Sequence, residues 1–246
     1  MRQIKYRPEI DGLRAIAVCS VILYHSNIEI LNFELLKGGY LGVDIFFVIS
    51  GYLITSIILR ELKTTNQFSF KNFYLRRIRR IIPALLFVML FSLPFGWYLL
   101  LPNNFVDFIN SIFFSLGFSS NYFFHYSGQI YGAENGLFKP FLHTWSLSVE
   151  EQFYILFPLF LYVIFKYFNR YLVSFFFVGL IISLGMAEWA SSNHPSFNFY
   201  SLFTRTWEML TGSILAFYEK DHVNHRKYNH KISNFLQCLG VVIIIL

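Results

Sequence analysis

Seven stretches of this 246-residue chain are apolar over about 20 residues each, the length a helix needs to cross the hydrocarbon core of a bilayer. They cover residues 10–31, 41–62, 81–101, 105–124, 143–165, 172–189 and 200–218, and an eighth runs from about 235 to 246. Only 14% of the residues are charged, against about 25% in an ordinary soluble domain, too few to coat a water-facing surface. The two cysteines, Cys19 and Cys238, lie inside apolar runs and indicate neither a disulfide framework nor a metal site. The first run is too long for a cleaved signal peptide and has no small-residue cleavage site after it. The expected fold is all-α: a polytopic helical integral membrane protein with the lipid bilayer as its surroundings.

The distribution of charge sets the orientation. The formal net charge is +6, and 17 of the 20 Lys and Arg fall in four clusters beside apolar runs. These are residues 2–14, 60–80, 166–170 and 220–231; only Lys37, Lys139 and Arg205 lie elsewhere. A basic chain often binds nucleic acid, but this pattern is the positive-inside signal, which puts all four clusters and the N-terminus on the cytoplasmic face and argues for no nucleic-acid partner. Strict alternation of seven spans would put 166–170 and 220–231 on opposite faces. The run 105–124, which holds Asp107, Asn110 and Asn121, is therefore expected to dip in and return. The count becomes about six complete spans, one re-entrant or surface helix and an unfinished last span.

Ionisable groups inside a span are expensive and mark functional sites by default. The first span carries Asp11, Arg14 and His25. Eleven residues separate Arg14 from His25, three helical turns and roughly 16 Å of rise, so both face the same way, with Asp11 close to that face. A snorkelling arginine and an interfacial histidine are the plainer alternative. The second span holds Asp44 early and Ser50-Gly51 near its middle; close helix packing explains Gly51 but not Asp44. Four arginines, Arg76, Arg77, Arg79 and Arg80, crowd five positions, and Arg76, Arg79 and Arg80 share a helical face. They serve equally as a topology anchor on anionic lipid or as a phosphate-binding patch. The fifth run opens with His143, followed two turns later by Glu150 and Glu151, poor lipid-facing residues. Arg205 and Glu208 are spaced for an intrahelical pair. No GxSxG elbow, phosphate-loop glycine motif, HExxH or CxxC pair is present.

These blocks resemble the acyltransferase-3 family, the O-antigen acetylase type. The resemblance rests on residues 6–15 (YRPEIDGLRA) followed by His25, on 42–51 (GVDIFFVISG), on the arginine cluster with Pro83, on 143–154 (HTWSLSVEEQFY), and on 205–208 (RTWE) followed by Gly212. It implies a bacterial inner-membrane enzyme that moves an acyl group, usually acetyl, from acyl-CoA (acetyl-CoA) to a carbohydrate hydroxyl. The acceptor would be O-antigen, an exopolysaccharide or peptidoglycan. By matching position, His25 and Arg14 form the essential pair, and Arg76, Arg77, Arg79 and Arg80 belong to the donor-binding region. His25 is then expected to deprotonate the acceptor hydroxyl, with Glu150 or Glu151 orienting it or the acceptor, and an acetyl-His intermediate as the variant. Asp11, Asp44, Ser50, His143, Arg205 and Glu208 are supporting residues. No resident cofactor is implied; acyl-CoA is a substrate. The resemblance also implies helices beyond residue 246, so residues 1–246 read as the N-terminal portion of the family's transmembrane domain. A flippase for a polysaccharide intermediate, or a non-catalytic membrane protein, is the alternative; coenzyme A binding separates them from the enzyme.

Overall fold

A computed structural model describes residues 7–26, 29–30, 33–34, 38–129, 136 and 139–222. The described elements run α1 (Pro8–His25), β1 (Glu29–Ile30), β2 (Phe33–Glu34), α2 (Gly42–Thr65), α3 (Phe70–Leu99), α4 (Pro102–Leu116), α5 (Ser120–Ser127), α6 (Thr144–Tyr167), α7 (Leu172–Asn193), α8 (Pro195–Tyr200) and α9 (Leu202–His222). The strands form one two-residue antiparallel pair, Glu29 opposite Glu34 and Ile30 opposite Phe33. Four segments among the described residues are helical, long and apolar enough to cross a membrane: Gly39–Thr65, Phe70–Leu99, Thr144–Tyr167 and Asn169–Asn193. The protein is thus helical and multi-pass. Of the six complete spans expected, four are helices of that kind. Of the other two, α1 holds Glu9, Asp11 and Arg14 in 18 residues and stops at His25, with Ser26, a residue type favoured at helix ends, as its cap. The second, α9, carries Arg205, Glu208 and Glu219. The expected last span at 235–246 lies outside the described residues.

The chain divides into two compact units, Met1–Ser56 with Glu208–Leu246, and Ile57–Trp207. In the first, glycines set the packing. Pro8 opens α1 at a position where its missing N–H costs nothing. A Cβ on Gly39 would meet the Ser20 carbonyl, and one on Gly42 the Ala17 carbonyl, so α1 lies directly on the start of α2 and Ala17 is fully buried. Likewise a Cβ on Gly51 would overlap the Met209 carbonyl, and one on Gly212 the Val48 carbonyl, so α2 and α9 cross backbone to backbone. Ser213 Oγ, in that crossing, donates to the Met209 carbonyl at 2.9 Å. Arg7 Nη1 donates to both Glu219 carboxylate oxygens, at 2.8 and 2.9 Å, and Tyr52 hydrogen-bonds to the same carboxylate, which ties α1, α2 and α9 together at one level.

The second unit is organised on α6. Trp145, Val149, Phe153, Phe157, Leu161 and Ile164 recur every three or four residues and are all buried, one continuous apolar stripe. Helix α3 runs antiparallel beside α6: the ring of Phe70 meets Tyr162, and Tyr74 Oη donates to the Ile155 carbonyl at 2.9 Å. The basic residues at the start of α3 and at the end of α6 therefore stand at the same end of this unit, as the charge pattern requires. The far half of α3, including Phe87, Leu90, Phe91, Trp97 and Tyr98, is exposed, a surface suited to lipid with aromatic residues at its boundary.

The run 105–124 is two helices rather than one. It breaks at 117–119, where Phe118 adopts a left-handed backbone conformation (φ 49°), unfavourable for a bulky residue. Polar groups on α6 hold the break. Thr144 Oγ1 hydrogen-bonds Ser115 at 2.7 Å and Ser120 at 3.0 Å; Ser148 Oγ meets Ser120 Oγ at 2.8 Å; Gln152 Nε2 donates to the Phe118 carbonyl at 2.8 Å and to Asn121 Oδ1 at 2.9 Å. Phe108 stacks near Phe141, before α6 begins, whereas Phe118 sits level with Gln152, about 12 Å farther along. Asn121 then donates to the Tyr200 carbonyl and His125 contacts Ser196. The chain enters and leaves at the end of this unit away from the arginines, the in-and-back path that charge arithmetic demanded.

Candidate functional site

In the first unit the candidate residues lie on α1, α2 and α9. Arg14 is half-buried and pairs with Asp11 at 3.5 Å, one turn away. His25 is the last residue of α1, exposed, with the Tyr24 ring edge-on at 5.2 Å. Its Nδ1 lies 2.9 Å from the Val21 carbonyl oxygen. A carbonyl only accepts, so Nδ1 is the donor, and in the neutral ring the lone pair is then on Nε2. The bond to its own helix thus fixes both ring orientation and tautomer. The expectation of a histidine inside a longer span gives way to one at a helix terminus. Asp44 sits in the first turn of α2, where the helix N-terminus favours its charge. Ser50 and Glu208 are buried, Glu208 completely.

In the second unit the arginine cluster divides. Arg77 turns inward: Nη1 is 3.4 Å from Glu151 Oε1, and its guanidinium carbon lies 3.4 Å from the centre of the Tyr154 ring. Tyr154 Oη in turn donates to Glu150. Glu151 is 6% exposed, so its carboxyl group has the arginine where an exposed one would have water. Arg76, Arg79 and Arg80 all remain exposed. Spacing had put these three on one face. It gave no partner for the fourth, which α6 supplies. Removing Arg77 while keeping Glu151 strands a buried carboxylate. Arg77→Met is expected to cost on the order of 3–5 kcal/mol, and Arg77→Met with Glu151→Gln to regain most of it. Thermal unfolding of the three variants in detergent measures this, and an additive double variant would refute the pairing.

His143 stands exposed just before α6, its ring 6.0 Å from that of Phe141. Arg205 lies over the rings of Trp145 (5.9 Å) and Phe199 (5.5 Å). Sequence reasoning passed over Thr144, Ser148 and Gln152, whose spacing of four along α6 is itself a polar stripe. It also passed over Arg7, Tyr52 and Glu219, which no local pattern connects.

The family model described as an acyltransferase domain matches residues 7–246. The chain belongs to the acyltransferase-3 family. Among this acyltransferase-3 chain's relatives, a Staphylococcus aureus protein named provisionally as an O-acetyltransferase is 40% identical over 220 residues, 88% of this chain and 35% of that protein. The peptidoglycan O-acetyltransferase OatA of Listeria monocytogenes is 39% identical over 223 residues, 87% of this chain and 34% of its own. The O-acetyltransferase OatA of Staphylococcus aureus is 34% identical over 240 residues, 96% and 39% respectively. The chain spans little more than a third of the length of the curated relatives it matches. No solved structure matches this acyltransferase-3 chain.

Proposed function

We propose that this acyltransferase-3 chain works in a bacterial inner membrane, N-terminus in the cytoplasm, and transfers an acetyl group from acetyl-CoA to a hydroxyl of a cell-envelope carbohydrate. The Listeria relative's name favours peptidoglycan as that carbohydrate. The division of the arginine cluster carries the reading. Arg77 is committed to Glu151, and three guanidinium groups stay exposed on one face at the basic end of their unit. Guanidinium forks match phosphate oxygens, so Arg76, Arg79 and Arg80 grip the phosphates of coenzyme A on the cytoplasmic side, while the thin pantetheine arm carries the thioester inward.

His25 is the base. Its Nε2 lone pair takes the acceptor's hydroxyl proton as the oxygen attacks the thioester carbonyl. The C–S bond breaks, the imidazolium returns the proton to the leaving thiolate, and an O-acetyl ester and free coenzyme A result. Arg14, held by Asp11 three turns before His25 on the same helix, is a positioning residue on the donor side of the reacting centre. Glu150 and Glu151 are positioning residues.

The test is the Arg76→Gln, Arg79→Gln, Arg80→Gln triple variant. Its KM for acetyl-CoA is expected to rise roughly tenfold or more, about 1.4 kcal/mol, with kcat nearly kept. Raising the salt should narrow the gap to the parent protein. An unchanged KM would overturn the donor assignment.

A further inference from the structure

At the end of the second unit away from the arginines, α5, the end of α7 and the start of α8 border an open cavity of about 530 Å³. That size suits a small-molecule site. Helix α7 starts just after Lys166 and Arg170 and rises roughly 26 Å between Leu172 and Trp189, close to the thickness of a bilayer core. The cavity therefore faces the side opposite the donor arginines.

Its walls have a distinctive chemistry. Trp189 and Phe197 supply aromatic faces, and Trp189 is 55% exposed, open to a stacking partner. His125, Gln129, Asn193 and His194 supply hydrogen-bonding edges. Amides and imidazoles both donate and accept, which is what a hydroxyl-bearing ligand requires. Among the described residues no Lys, Arg, Asp or Glu lines the cavity, which favours a neutral ligand over the phosphate of coenzyme A or of a lipid headgroup. Several of these groups are already held in place: His125 Nδ1 is 2.9 Å from Ser196 Oγ, the Asn193 amide donates to the Trp189 carbonyl at 2.7 Å and leaves its oxygen to accept, and the His194 ring lies 5.4 Å from the Trp189 ring. A neutral ligand with an apolar C–H face and a rim of hydroxyls fits such a wall, and that ligand is a sugar ring.

We propose that this cavity is a saccharide subsite that holds the acceptor glycan; the acceptor role rests on the reading of the protein as a carbohydrate O-acetyltransferase. The probe is chitotetraose, titrated calorimetrically against the whole chain in nanodiscs. The parent is expected to bind it, and Trp189→Ala and Asn193→Ala each to bind it roughly tenfold more weakly. Both residues are exposed, so their truncation spares the core. Glu188→Gln, exposed and one residue away but outside the lining, is expected to change nothing. No binding by the parent, unchanged binding by both truncations, or displacement by glycerol phosphate in place of the sugar would overturn the proposal. Transfer that depends on His25, with an acceptor KM indifferent to Trp189→Ala and Asn193→Ala, sinks the subsite and spares the enzyme. Saccharide binding that depends on Trp189, in a protein that transfers no acetyl group, sinks the enzyme and spares the binding site.

Discussion

Replacing His25 with alanine is expected to lower acetyl transfer by a factor on the order of 10²–10⁴, the usual contribution of a positioned general base. The argument is geometric. The imidazole is the last side chain of α1, its Nδ1–H is used by the Val21 carbonyl, and the basic nitrogen is the one left over. Because the ring is exposed and holds no part of the core, its loss should leave the protein folded and donor binding intact. Transfer of label from acetyl-CoA to envelope glycan, with coenzyme A affinity measured separately, checks this. Undiminished transfer would remove His25 from the chemistry. Label retained on the parent protein after an acid quench would instead indicate an acetyl-imidazole step.

Gly212→Val is expected to leave no monodisperse protein in mild detergent. A Cβ at Gly212 meets the Val48 carbonyl and the Tyr52 amide, backbone on both counts, and the reciprocal crossing at Gly51 meets the Met209 carbonyl. Neither helix can retreat without opening the other contact. The cost therefore exceeds the roughly 1–3 kcal/mol of an overpacked side chain that neighbours can accommodate. Gly185 is the control, since a Cβ there meets nothing within 4 Å; Gly185→Val should elute as the parent does. Fluorescence-detected size exclusion reads both, and a normal profile for Gly212→Val would show that α2 and α9 do not cross so closely.

What the sequence made legible was periodic or local. The apolar stripe of α6, the shared face of Arg76, Arg79 and Arg80, and the close packing at Gly51 all follow from spacing. Contacts between distant segments did not. Arg77 meets Glu151 from 74 residues away, and nothing near either residue names the other. The break in 105–124 was hidden because Phe118, not glycine, takes the left-handed turn, and its carbonyl is satisfied from α6. The end of the first helix was hidden for a related reason: hydropathy sees the apolar residues after His25 and not that α1 stops there. The cavity beside Trp189 was invisible because its walls come from the ends of three elements, each an ordinary polar helix terminus on its own.

The paired helices α4 and α5 depend on residues that leave the ribosome only after they do. Ser115, Ser120, the Phe118 carbonyl and Asn121 find Thr144, Ser148 and Gln152 only once the next long helix is complete. In lipid an unsatisfied polar group costs several kcal/mol, so 102–127 has no stable resting place before then. During synthesis this segment must wait in a wet or chaperoned setting, and it settles late, folding back on a helix that follows it in the chain.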